Sequence, residues 1–219
     1  MREQEVEIDQ TEALAEQLKP DVLALGKLTA QFAQVNRMTM LNEEGMLESD
    51  TDHTVMLSLV ACSVASTYVP ELDVGLVAQF ALIHDLVEAY AGDVPTVRVD
   101  GFDADAKQQA EDEALARLHT EFDEAFPWLT STIEAYESLE TPEARFIKTL
   151  DKLMPVITHN LSNGIVLDGE FSSLDDLRAN TERRNKLMAR TYAADQPLAM
   201  ALRRVLYDDS IRGWKERHS

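Results

Sequence analysis

Cysteine is nearly absent from this 219-residue chain, where Cys62 stands alone. A lone thiol excludes an intramolecular disulfide, and its place in an apolar helical stretch fits a small core residue in a reducing compartment. Positive charge is scarce as well: 20 Lys and Arg stand against 40 Asp and Glu, for a formal charge of -20. Affinity for nucleic-acid polymers rests on cations neutralising phosphates, so that imbalance argues against DNA or RNA as a partner. A small phosphorylated ligand stays open, because a metal ion and two or three local cations reverse the sign of the field inside a cleft. Glycine is sparse, and none of the eight builds a Gly-rich phosphate loop. No uninterrupted apolar run reaches the about 18 residues a membrane span needs, and the acidic start MREQEVEIDQ lacks the apolar centre of a signal peptide. A cytoplasmic protein without a membrane contact is expected. Alternation of β-branched residues, internal repeats and low-complexity segments are missing too.

What remains is helical periodicity. With 45% hydrophobic and 27% charged residues, the chain can bury one substantial core and is short for two, so residues 1–219 read as a single domain. Residues 9–18 and 20–36 read as two helices, the second opened by Pro20 and carrying Val22, Leu25, Leu28, Phe32 and Val35 on one face. A loop is expected from Arg37 to Asp52. An apolar helix then starts near His53, with Thr51 or Asp52 as its cap. Pro70 and Asp73 punctuate the next turn, and a central helix with His84 and Asp85 follows. Amphipathic segments come at 103–126 and 127–139. Thr141, Pro142 and Glu143 read as cap, first residue and first-turn acid of the helix ARFIKTLDKLMPVITHNL. Two more helices fill the stretch from Leu174 to Trp214. The architecture is all-α, a helical bundle with additional C-terminal helices.

The stretch FALIHDLVEAYAGDVPT, residues 80–96, carries the chemistry. His84 and Asp85 sit in an apolar run, and a carboxylate taken out of water is costly unless a cation or strong donors replace the solvent. On a regular helix His84 and Glu88 lie about 40° apart, with Asp85 inside an arc of about 100° of both. Gly92 offers a helix stop, and Asp93 beyond it can fold back toward the same cleft from a loop ending at Pro95. His53 and Asp151 likewise place an imidazole and a carboxylate against apolar backgrounds. Two imidazoles and two carboxylates suit one divalent ion such as Mn²⁺, Co²⁺, Fe²⁺, Zn²⁺ or Mg²⁺. Lys148 and Lys152 flank Asp151 and are candidates to bring positive charge to a phosphate. Glu48 is a candidate to orient a ligand from behind. His119 and His159 read as surface or hydrogen-bonded residues.

The elements ESDTDH (48–53), IHDLVEAYAGDVPT (83–96), KQQAEDEALARL (107–118) and TPEARFIKTLDKL (141–153) resemble, in order and spacing, the HD-domain metal-dependent phosphohydrolases. Within that family they look like the 5′-deoxynucleotidase branch, over roughly residues 25–160. The resemblance implies that His53, His84, Asp85 and Asp151 hold the metal. It also implies that Glu88 handles a proton of the attacking water or leaving oxygen, and that Asp93 assists or orients it. Arg37 corresponds by position to a phosphate-gripping arginine. Where that branch has Arg-Trp, this chain has Arg37-Met38, which leaves the preference for deoxyribose over ribose open. The activity implied is release of phosphate from (deoxy)nucleoside 5′-monophosphates by a metal-activated water. Two alternatives are a deoxynucleoside triphosphate triphosphohydrolase and a degenerate nucleotide-binding module. Family members often form homodimers, and the apolar face from Leu198 to Ile211 is a candidate contact.

Overall fold

The computed structural model describes residues 2–40, 45–93, 103–162, 164–165, 171 and 173–217. The parts of the expected loops at 41–44, 94–102 and 166–170, Pro95 among them, lie outside the described residues.

The first helix, α1 (Arg2–Phe32), is continuous through Pro20, where two helices are expected from the sequence. An interior proline gives up a backbone bond and crowds the preceding turn, leaving a carbonyl without its donor. Every residue from Gln10 to Pro20 is exposed, so water can satisfy that carbonyl. Only the end of α1 reaches the core, through Leu28 and Phe32. The expected loop after it contains a small antiparallel pair, β1 (Asn36–Met40) and β2 (Leu47–Ser49), with Asn36 opposite Ser49 and Met40 opposite Leu47. Arg37 therefore sits on a strand, not at a helix end.

Helix α2 (Asp50–Tyr68) is capped by Ser49, not by Thr51 or Asp52. The Ser49 hydroxyl accepts from the Asp52 amide, and the Asp52 carboxylate accepts from the Ser49 amide at 3.0 Å. This reciprocal box satisfies two amides that a helix start leaves free. His53, Leu57, Ala61 and Ala65, four residues apart, form its buried ridge, and the two alanines let α3 (Val74–Ile83) lie close.

After Ile83 the chain leaves the regular helix expected there. Bonds from Leu86 to Ile83, Glu88 to Asp85 and Tyr90 to Val87 span three residues, leading into and through the short α4 (Glu88–Ala91). At three residues per turn, positions i and i+3 eclipse. Asp85 and Glu88 thus share one side of the chain more closely than a regular helix would place them. Gly92, at φ 76°, ends α4 in the left-handed region.

The remaining elements are α5 (Ala104–Phe122), α6 (Pro127–Glu137), α7 (Pro142–Asp151), α8 (Met154–Leu161), α9 (Leu174–Thr191) and α10 (Pro197–Arg217). Thr141 caps α7 as expected, accepting from Ala144, and Pro142 is its first residue. The expected long helix from Ala144 is cut after Asp151, and Pro155 opens α8. One core runs through the bundle, built on Leu57, Phe80, Phe122, Tyr136, Phe146 and Leu150. Leu177 of α9 and Tyr207 and Ile211 of α10 belong to it. The C-terminal helices thus cover the core, and the buried face of α10 includes Ala199, Arg203, Tyr207 and Ile211, while Val205 is 62% exposed. Among the described residues one 18-residue stretch, Val74–Ala91, is apolar enough by composition to cross a membrane, with mean hydropathy 1.3 and 44% of it buried in this fold. Polar His84, Asp85 and Glu88 interrupt it.

Candidate metal centre

Three helix ends converge here. The first turn of α2 supplies His53, the tight turn after α3 supplies His84 and Asp85, and the last residue of α7 is Asp151. One ligand atom from each of the four residues lies within 4.8 Å of all the others. His53 Nε2 is 3.2 Å from Asp151 Oδ1 and 3.9 Å from Asp85 Oδ2, and His84 Nε2 is 3.1 Å from Asp85 Oδ2. His53, His84 and Asp151 are buried, and Asp85 is partly exposed, which gives the cluster one open side.

The donor set fits a divalent ion. His84 Nδ1 donates to the Ala81 carbonyl at 2.9 Å, which leaves the Nε2 lone pair aimed at Asp85. That Nε2 is buried without a hydrogen-bond partner. A bare lone pair and a carboxylate oxygen at 3.1 Å repel, so a positive charge must lie between them, a proton in the metal-free protein or a divalent ion in its place. Tyr136, buried and edge-on to the His84 ring, closes the apolar side.

Electrostatics mark the same place. Burial works to raise the Asp85 carboxyl, but His84 and Arg37 hold it well below the usual range. Asp151 is buried too, and Lys152 and His53 hold it low against that burial. Burial pulls His53 down, yet its contacts with Asp151 and Glu48 outweigh this and lift it to about 9. Glu88 goes the other way: burial, then repulsion from Asp85, Asp50 and Asp93, pushes it up to about 10, with Arg37 opposing. A carboxyl that keeps its proton at neutral pH beside a cation-binding cluster has the character of a proton donor.

Around the four ligands the structure gathers the other expected residues. Arg37 Nη1 lies 2.7 Å from Asp85 Oδ2, 3.1 Å from Asp50 Oδ1 and 3.8 Å from Glu88 Oε2. Asp93, just past Gly92, is near enough to act on Asp50 and Glu88. Lys152 Nζ is 2.7 Å from Asp151 Oδ2, at the edge of the cluster, and Lys148 lies 3.8 Å from Glu137 and over the Tyr136 ring. A different lysine faces Glu88. Lys107 Nζ is 3.5 Å from Glu88 Oε1 and 2.8 Å from Glu111 Oε1. Sequence reasoning did not single out Lys107 or Asp50. The Lys107–Glu111 spacing of four on a helix following the Asp93 loop is the signal that could have found the first. Asp50 is hidden in an acid-rich run and gives no such signal. Of the other histidines among the described residues, His119 is a surface residue held by Asp123 and Glu134. His159 is largely buried, and burial together with Arg203 pushes it down to about 4.

Comparison with known proteins agrees. The model of the HD domain matches residues 29–188. The chain is 26% identical over 165 residues to 5′-deoxynucleotidase HDDC2 of Danio rerio, covering 74% of this chain and 78% of that one. In fold it is similar to the crystal structure from Magnetospirillum magnetotacticum MS-1 named a predicted metal-dependent phosphohydrolase, with a TM-score of 0.68, 24% identity, and 89% and 95% of the two chains covered. A conserved hypothetical protein from Pyrococcus furiosus superposes with a TM-score of 0.55 at 20% identity, over 83% of this chain and 99% of that one. The chain belongs to the HD-domain family of metal-dependent phosphohydrolases.

Proposed function

We propose that the protein is a 5′-nucleotidase that removes phosphate from (deoxy)nucleoside 5′-monophosphates. The observation that carries this reading is the company kept by Asp85, a carboxylate of the candidate metal cluster: the Arg37 guanidinium lies 2.7 Å away, and Glu88 lies 3.8 Å from the same guanidinium nitrogen. The name of the Danio rerio relative supports the substrate class.

His53, His84, Asp85 and Asp151 would hold one divalent ion. When bound, such an ion lowers the pKa of a water and neutralises phosphoryl oxygens. The remaining work falls to side chains. Burial works against the Arg37 charge, but Asp85 and Asp151 hold it on, and the guanidinium grips the phosphate. Glu88 moves the proton between the attacking water and the departing sugar oxygen, and Asp93 steers it. Lys107 bears on one oxygen of Glu88 and Arg37 on the other, so that Lys107 adds positive charge beside the proton carrier. Tyr136 and the apolar wall behind His84 keep bulk water from the cluster's inner side.

Purified protein with added Mn²⁺ or Co²⁺ should release inorganic phosphate from dAMP, dGMP, dCMP or dTMP, and from ribonucleotides if the sugar is not discriminated. Tripolyphosphate from dATP would instead identify a triphosphohydrolase. Tight nucleotide binding with no product would identify a non-catalytic module.

A further inference from the structure

Glu48, an acid of the ring around the cluster, lies against both halves of the machinery. It sits on β2 with 1% exposure. Its Oε1 lies 3.4 Å from His53 Nδ1, and its Oε2 lies 3.9 Å from Arg37 Nε. Both Glu48 Oε1 and His53 Nδ1 are buried and have no hydrogen-bond partner. Two orphaned polar atoms that face each other, one an acceptor and one able to donate, are a hydrogen bond that needs only a few tenths of an ångström to close.

Resting on the proposed metal site and on Arg37 as the phosphate grip, we propose that Glu48 is a positioning residue that couples the two. One oxygen takes the Nδ1 proton of His53, which fixes the tautomer and turns the Nε2 lone pair toward Asp85 and Asp151. The other oxygen bears on the Nε edge of Arg37, while Asp50 holds the Nη1 edge at 3.1 Å. Metal and phosphate are then bound by groups hinged on one carboxylate. A carboxylate is required because only it accepts from both sides. The amide of glutamine has one acceptor and one donor, and the donor would meet either the His53 N–H or the guanidinium.

Asp50 is the natural control, since of these partners it bonds Arg37 alone. The test is calorimetric Mn²⁺ binding, followed by binding of inorganic phosphate to the Mn²⁺-loaded protein, for Glu48→Gln, Glu48→Asp and Asp50→Asn. Circular dichroism and melting of each metal-free variant show whether it is folded. Glu48→Gln should weaken Mn²⁺ binding about 10-fold and phosphate binding several-fold, and Glu48→Asp should recover part of both. Asp50→Asn should weaken phosphate binding and leave Mn²⁺ affinity within about 2-fold of the parent. Folded Glu48→Gln protein with parental affinity for both ligands overturns the proposal, as does an Asp50→Asn variant that loses Mn²⁺ as strongly as Glu48→Gln. Neither arm uses a nucleotide. Failure of the parent to hydrolyse one would count against the proposed reaction and leave the role of Glu48 to be decided by these affinities.

Discussion

His53 and Asp151 stand 98 residues apart in sequence, yet Nε2 of one lies 3.2 Å from Oδ1 of the other. The contact joins the start of α2 to the end of α7, and it fixes the depth at which an ion can sit between them. Asp151→Asn keeps the shape of the side chain and removes its charge. The variant should lose bound metal, measured by plasma mass spectrometry after dialysis against Mn²⁺, and phosphate release should fall by about 10²-fold or more.

The same pair sets a pH dependence in the metal-free protein. His53 is raised from 6.5 to about 9, so folding favours its protonated form. Its contribution is fully present below about pH 6.5, and it is lost as pH rises through about 9. Urea midpoints measured with EDTA should therefore decline over that window, and His53→Asn should flatten the decline. A metal on Nε2 must expel this proton. Mn²⁺ titrations near pH 7.5 in buffers of different ionisation enthalpy should show close to one proton released.

In the proposed reaction Glu88 transfers protons and lies outside the four candidate ligands. Glu88→Gln should keep Mn²⁺ affinity near the parental value while kcat falls by about 10²- to 10⁴-fold. Loss of metal in this variant would move Glu88 into the ligand set.

Gly92 turns the chain at φ 76°, and a Cβ built there meets no atom within 4 Å. Any penalty from Gly92→Ala is therefore backbone strain alone, about 1 kcal/mol. Melting should drop by about 2–4 °C. Because Asp93 follows directly, kcat should suffer more than stability does.

The four clustered residues were legible as candidate ligands because ionisable residues are rare in apolar helical stretches, and HD with a distant His and Asp stands out against that background. The bundle followed from periodicity. Local chemistry was harder to read. Ser49 outcompetes Thr51 and Asp52 as a cap because Asp52, at the third helical position, answers it, a choice that depends on where β2 ends. Pro20 stays inside α1 because that part of the helix is in water. The shift to three residues per turn after Ile83 leaves no compositional mark, since the sequence there is as apolar as the helix before it. Lys107 gains its meaning only when α5 is laid beside Glu88, and the partners of Lys148 and Lys152, Glu137 and Asp151, come from the packing.

One long-range bond gives the last helix a stake in the chemistry. Arg203 of α10, buried and held through Nε by Asn185 of α9, donates to the carbonyl of Lys152, the residue after Asp151. A nascent chain stalled before α10 would leave the end of α7 unanchored and the core beneath Tyr207 open to water. Half-made copies should therefore be poor at capturing metal.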